Sequence, residues 1–440
     1  MEADILIKDG VVVPMDASSG VIANGYVAIT GDRISAVGSG EPQIKAKKVI
    51  SADGGVILPG LINTHSHQTM MRGVCEDLPL MDWLEKICFP IDSSLQAPDI
   101  KASSLMCQAE MLLGGTTTFV DLYRYPQAAA EVAEQTGIRA VIASQVIDHP
   151  VGTGETYADN LEFVKEWISR GKGRIRPWFG VHAPYSNNIE TYQAAAKAAK
   201  EYGVGVHTHL CETKSEVEQV QAIRGCSPIA WLAKENALSE RMLAAHCVHV
   251  DKEDIKIMLD AGVKVAYNPC SNMKLASGVA PVTDMIAAGL TVGLATDSNL
   301  SNNNLDLFEE MRVGAMLQKL ITLDASALPA TEVLKMATIY GAKCLGLEDE
   351  IGSLEVGKKA DVIIVDLNRP HMWPRFTGEV NNVIANLVYS ANAADVRTTI
   401  VDGKLLVDKG QLLGWDLEAA FAEVQAAAHD LYRRAQKKMS

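Results

Sequence analysis

The sequence predicts an α/β fold: a (β/α)₈ TIM barrel with a small β-sandwich domain built from both termini. Three observations carry that expectation. Between about residues 58 and 350, eight short β-rich runs alternate with longer helical stretches, which is the count of a (β/α)₈ barrel. Both ends of the chain share a different style, short alternating strands broken by Gly and Asp turns. The polar outliers of the middle region, mostly histidines, fall where the β-rich runs end, and barrels of this kind place their chemistry there.

Residues 3–52 (DILIKDGVVVPMD, GYVAITGDRISAVGSG) read as hairpins. They place the N-terminal part of the sandwich at 1–58. The barrel follows at 59–350, with strands expected in GLINTHSH (60–67), TTTFVDLY (116–123), RAVIASQV (139–146), RPWFGVH (176–182), GVGVHTHL (203–210), MLAAHCVH (242–249), VKVAYNP (263–269) and TVGLATD (291–297). A doubly wound open sheet would usually show a Gly-rich phosphate turn after its first strand, and none is present there. Residues 351–440 return to short strands with Gly turns (GSLEVGKKADVIIVDL, VRTTIVDGKLLVDKGQLL) and complete the sandwich, with 416–437 as a closing amphipathic helix.

Composition narrows the function classes. The chain has 440 residues, 48% hydrophobic and 21% charged, which excludes global disorder and fibrous repeats. Forty Lys plus Arg against 54 Asp plus Glu leave a net charge of −14, and no basic run reverses it locally. Such a field repels phosphates, so a small-molecule substrate is expected, with no nucleic acid and no membrane as partner. A homo-oligomer stays open. Eight scattered cysteines without a CxxC pair suit a reducing compartment. The N-terminus lacks the basic start and apolar core of a signal peptide, and no apolar run reaches the roughly 20 residues of a membrane span, so the expected location is cytoplasmic.

The chemistry-bearing residues follow the strand ends. His65 and His67 close the first run, His182 the fourth, His207 and His209 the fifth, His246 the sixth and Asp297 the eighth. Two residues apart on a strand, His65 and His67 point to one face and can bite one metal. An isolated HxH is more often a core or surface pair, but His209 and Asp297 add nitrogen and oxygen from separate strands. Three imidazoles and a carboxylate suit one Zn²⁺, or Fe²⁺, with a position left for water. The fourth run ends in His182 rather than a lysine that could be carboxylated to bridge a second ion, so one divalent metal per chain is expected. Glu212, three residues past His209, is either a surface glutamate opening the next helix or the group that moves protons from water to the leaving amine. His246 can hydrogen-bond the attacking oxygen, its alternative being a buried structural role. His207 is placed behind the ligands.

PGLINTHSH, HLCET, AAHCVH, NPCSNMKLASGVAP and TDSNLSNNNLD, in this order and spacing, resemble the amidohydrolase superfamily. Within it the chain is similar to the mononuclear branch of 5′-methylthioadenosine/S-adenosylhomocysteine deaminases and s-triazine hydrolases. The resemblance covers essentially the whole chain. It implies metal ligation by His65, His67, His209 and Asp297, proton shuttling by Glu212, and orientation of the attacking hydroxide by His246. By the same resemblance His182 contacts a purine nitrogen, while Trp83 and Asp92, in RGVCEDLPLMDWLEKICFPID, belong to the segment that grips the ribose hydroxyls. Asp92 stands where the family commonly has glutamate, one methylene shorter. Gln145 and Thr156 stand near places where some members carry arginines for a homocysteine carboxylate, which favours a neutral 5′-thioether nucleoside. Ser298 replaces a usual glycine.

The expected function is therefore zinc-dependent hydrolytic deamination of an aromatic N-heterocycle, an adenosine-type nucleoside such as 5′-methylthioadenosine leading. Hydrolysis of an s-triazine or another aminoheterocycle, guanine or pterin included, is the alternative. A barrel kept only as a structural subunit fits poorly with a complete ligand set. Nucleic-acid deaminases use a different motif, and Pro269-Cys270 lacks its second cysteine.

Overall fold

The computed structural model describes residues 2–439 except Ser19, Cys75, Pro79 and 150–154. The chain divides into two compact units, 1–63 with 109–118 and 306–415, and 64–108 with 119–305 and 416–440.

In the first unit the strand Glu2–Val12 pairs antiparallel with Ile22–Thr30, which pairs antiparallel with Arg33–Ser39, giving the expected hairpins. Lys45–Ser51 then runs parallel to the first strand. Val56–Pro59 joins the two ends of the chain, pairing parallel with the first strand and antiparallel with Val362–Val365. Val396–Val401 and Lys404–Asp408 extend the sheet. Alternation puts Ile5, Ile7, Val27, Ile29 and Ile57 on one inner face with Val362, Ile364 and Ile400, a shared apolar core that neither terminus could bury alone.

The second sheet is parallel and follows the chain: Leu61–His67, Thr116–Tyr123, Arg139–Ser144, Ile175–Gly180, Val206–Leu210, Met242–His246, Lys264–Tyr267 and Val292–Leu294. Helices separate successive strands, and most strands are buried along their whole length, the apolar RAVIAS and MLAAH as well as the more polar TTTFVDLY. The eighth expected run is two short pieces rather than one strand. Val292–Leu294 bonds to the seventh strand, while Asp297–Ser298 bonds back to Ser66 and His67 of the first. The chain turns between them, with Asp297 at φ 62°, and this switch of partner closes the barrel.

Among the described residues, no disulfide links Cys88, Cys107, Cys211, Cys226, Cys247, Cys270 or Cys344 to another cysteine. Cys75 lies outside the described residues. Among the described residues no helix is long and apolar enough to cross a membrane.

Candidate metal centre and active site

The first strand delivers His65 and His67, the fifth His207 and His209, the sixth His246, and the closing segment Asp297. All of them are buried. His65, His67 and Asp297 offer ligand atoms within 4.8 Å of one another, as do His65, His209 and His246. His65 Nε2 and His67 Nε2 lie 3.4 and 3.3 Å from the same oxygen of Asp297, and His67 Nε2 lies 3.1 Å from His209 Nε2.

The hydrogen bonds on the far side of each ring decide what those nitrogens can do. A carbonyl oxygen only accepts, so an imidazole nitrogen bonded to one carries the proton. His67 Nδ1 donates to the Leu122 carbonyl, and His209 Nδ1 to the His182 carbonyl at 2.8 Å. His207 Nδ1 donates to the Leu243 carbonyl at 2.8 Å, which leaves its Nε2 to accept from His65 Nδ1 at 2.7 Å. In their neutral forms His65 and His67 therefore turn Nε2 lone pairs towards the Asp297 carboxylate, and His209 turns its own towards His67 Nε2. Burial keeps His65 and His209 well below the usual histidine range and pushes His207 down to about 3. Burial acts on His67 in the same sense, but the neighbouring Asp297 carboxylate overcomes it and raises that imidazole. These imidazoles and the carboxylate offer nitrogen and oxygen donors that could hold a divalent cation.

Asp297 is held from behind. Its second oxygen accepts from Ser271 Oγ at 2.6 Å and Ser301 Oγ at 2.9 Å, leaving the first for the histidines. Burial works to raise this carboxyl, and the His65 and His67 imidazoles outweigh it and hold it well below the usual carboxylate range. Ser298 bonds to Ser301 Oγ at 3.0 Å, so its hydroxyl is engaged by the turn that carries Asp297.

His246 is set in the opposite tautomer. Asn272 Nδ2 donates to its Nδ1 at 2.9 Å, and Asn268 Nδ2 lies 3.3 Å away, its amide oriented by a bond to the Ala266 carbonyl. Nδ1 thus accepts, and Nε2–H points inward, 3.7 Å from Glu212 Oε2. A ring that presents a proton is suited to hydrogen-bonding an oxygen rather than to ligation. His246 (φ 75°) and Asp297 (φ 62°) both adopt left-handed backbone, which costs a non-glycine residue of order 1–3 kcal/mol and persists only where the surroundings impose it.

Glu212 lines the same cavity, its Oε1 accepting from Ser277 Oγ at 3.3 Å, and burial pushes its carboxyl above the ordinary value. Its position is fixed by Glu216, whose two oxygens accept from the backbone N–H groups of Cys211 and Glu212 at 3.0 and 2.8 Å.

Trp83, Asp92, Gln145 and His182 line this cavity as well, with Phe89 and Tyr185 among its apolar walls. Among the described residues, Trp83 Nε1 and Gln145 Oε1 are buried and find no hydrogen-bond partner, a donor and an acceptor that a bound ligand can satisfy. Asp92 accepts from Tyr123 OH at 2.6 Å, which turns one of its oxygens away from other partners. His182 bonds to Ser186 Oγ at 2.7 Å and is pushed down to about 3 by burial, so it meets a ligand as a neutral ring. Thr156 is exposed and instead caps the helix Tyr157–Arg170.

The amidohydrolase family model matches residues 56–406. The chain belongs to the amidohydrolase family. Members of this family are metal-dependent hydrolases, so the enzyme class expected from the sequence holds. Among curated relatives, this amidohydrolase is 41% identical over 98% of its length to a 5-methylthioadenosine/S-adenosylhomocysteine deaminase of Pelotomaculum thermopropionicum, covering 100% of that protein. It is 42% identical over 98% of its length to a 5′-deoxyadenosine deaminase of Methanosarcina mazei, covering 99%. Among solved structures, an adenosine deaminase from Xanthomonas campestris with bound zinc superposes with a TM-score of 0.92 at 32% identity, covering 98% of this chain and 99% of that one.

The residues that support these groups leave no mark in the local sequence. Tyr123, Glu216, Asn268, Ser271, Asn272, Ser277 and Ser301 carry no charge pattern or periodicity of their own. Four of them sit in NPCSNMKLASGVAP, a motif noticed only for its resemblance, and the structure gives its physical content. Its asparagines set the tautomer of His246, Ser271 holds Asp297, and Ser277 touches Glu212.

Proposed function

We propose that this amidohydrolase is a zinc-dependent deaminase of adenosine-type nucleosides, with 5′-methylthioadenosine as its leading substrate. The observation that carries the reading is the cluster of His65 and His67 Nε2 on Asp297 with His209 Nε2 beside His67, and Glu212 and the His246 Nε2–H facing the same cavity. His65, His67, His209 and Asp297 hold the ion, which when bound acts as a Lewis acid that lowers the pKa of water towards about 7. The zinc in the related adenosine deaminase supports that choice of metal, and the donor set accepts Fe²⁺ too.

Glu212 takes a proton from the attacking water and delivers it to the ring nitrogen beside the amine-bearing carbon. It then carries the second proton of that water to the amine, so the C–N bond breaks with loss of ammonia and an oxo group remains on the ring. Burial raises the Glu212 carboxyl above its ordinary value, which favours a group that must hold a proton before it passes it on. His246 donates from Nε2 and orients the oxygen. His182 meets the purine, and Asp92 accepts from the ribose hydroxyls, while Trp83 and Gln145 satisfy their open polar atoms on the nucleoside. The scattered cysteines without a CxxC pair fit a reducing cytoplasm.

An ammonia-release screen over adenosine derivatives, guanine, pterins, cytosine and aminotriazines, with chloride release from chlorotriazines, tests the reading. Turnover of the triazines with none of the adenosine derivatives would overturn it. Asp92→Ala sharpens the test. A hydrogen bond to a charged group contributes about 1.5–3 kcal/mol, so kcat/KM for 5′-methylthioadenosine should fall roughly 10–150-fold. Adenine, without hydroxyls, should be nearly unaffected, and equal small effects on both substrates would remove the ribose role.

A further inference from the structure

We infer that Arg434 and Lys438, near the end of the chain, are positioning residues for the substrate pocket: they strap the C-terminal helix onto the segment that carries Asp92. The proposal rests on the reading that Asp92 grips the substrate.

The pocket wall formed by Cys88, Phe89 and Asp92 is built from little. It is a four-residue helix, Phe89–Asp92, followed by a turn and then by the helix Ala97–Leu113. A helix of that length satisfies almost none of its own carbonyls, so its C-terminal end needs donors from elsewhere. Ser94 Oγ supplies one to the Pro90 carbonyl at 2.8 Å, and the backbone N–H of Ser93 supplies another to Phe89 at 2.9 Å. The carbonyls of Ser93 and Ser94, next in line after Asp92, remain.

The C-terminal helix Leu417–Met439 brings cations to both. Lys438 Nζ donates to the Ser93 carbonyl at 2.6 Å and lies 3.1 Å from Ser93 Oγ. Arg434 Nε donates to the Ser94 carbonyl at 3.1 Å while its Nη2 reaches the Asp99 carboxylate. Asp99 in turn accepts from the backbone N–H of Gln96 at 2.8 Å, fixing the entry to the next helix. One guanidinium therefore ties the turn after Asp92 to the start of Ala97–Leu113. Leu431 and Ala435, which share a helix face with Arg434 and Lys438 by i, i+4 spacing, are 1% and 0% exposed, so the strap has an apolar seat beneath its polar grip.

The helix packs against Phe89–Asp92 itself, and its polar grip on the Ser93 and Ser94 carbonyls holds the turn that follows Asp92. Loosening that turn displaces Asp92, which already spends one oxygen on Tyr123, and leaves Glu212 and the histidines where they are. The strap therefore governs how well substrate is held and not the chemical step.

The test compares wild type, Arg434→Ala/Lys438→Ala and Arg434→Lys/Lys438→Arg as full chains, by hydrogen exchange of residues 88–96 and by steady-state kinetics. In the double alanine variant, exchange in that segment should accelerate, and KM for 5′-methylthioadenosine should rise about tenfold with kcat within about twofold of wild type. The charge-retaining variant should recover most of both. Unchanged exchange, or faster exchange with unchanged KM, overturns the proposal. So does a loss of kcat with zinc content intact and KM unaltered. If wild type turns over no adenosine derivative, the fault lies in the substrate reading. The strap is then judged on exchange alone, and unchanged protection of 88–96 overturns it.

Discussion

Glu212→Gln is expected to keep its metal and to lose turnover by at least about 10²–10⁴-fold, the usual contribution of a general acid–base group. The amide is nearly isosteric, and the Ser277 hydroxyl and the Glu216 clamp on the backbone remain to hold it in place. What it cannot do is accept a proton from water and give it up again. Zinc content measured alongside kcat separates this outcome from a collapsed site. A variant with wild-type metal and more than about a tenth of wild-type turnover would make Glu212 a helix-opening glutamate and nothing more. Glu216→Gln offers a milder version of the same experiment. It removes one of the two carboxylate acceptors that fix the N–H groups of Cys211 and Glu212, so kcat should drop while the metal stays. Undiminished kcat would show that the clamp is dispensable.

His67→Ala is expected to bind little metal and to be inactive, whereas purified wild-type protein carries one divalent ion per chain. Removing one of four donors takes away a ligand that its own bond to the Leu122 carbonyl has oriented in advance. The loss exceeds that of a generic ligand, because it also leaves Asp297 with one imidazole fewer in a buried setting. Chelation of the wild type should abolish ammonia release, and added Zn²⁺ should restore it. Metal analysis gives the answer directly: two ions per chain, or full activity in the variant, would refute the single-site reading.

Much of this was legible before any coordinates. Alternation in 3–52 and 351–412 reported half-buried strands, because a residue's side of a sheet is set by its parity. The β-rich runs of the middle region reported buried parallel strands for the complementary reason, that helices cover them. His65, His67, His207, His209, His246 and Asp297 stood out because charged and imidazole side chains are costly in such runs unless something there needs them. Strand-end placement then predicted that they meet, since in a barrel every strand's C-terminal end opens on the same face.

Local sequence determined the alternation of β-rich runs with helices, the strands of both termini, and which side chains could carry chemistry, since period, turn residues and residue type act over a few neighbours. Tertiary structure alone decided the rest, because each remaining fact depends on a partner far along the chain. The barrel closes at Asp297 only because Ser66, some 230 positions earlier, offers it a strand edge. Which histidines are lone-pair donors and which presents a proton is set by carbonyls of Leu122, His182 and Leu243 and by the amides of Asn268 and Asn272. That Asp92 leans on Tyr123, and that the turn behind it is held by Arg434, follows from packing, and no spacing rule reports a hydrogen bond between residues so distant in the chain.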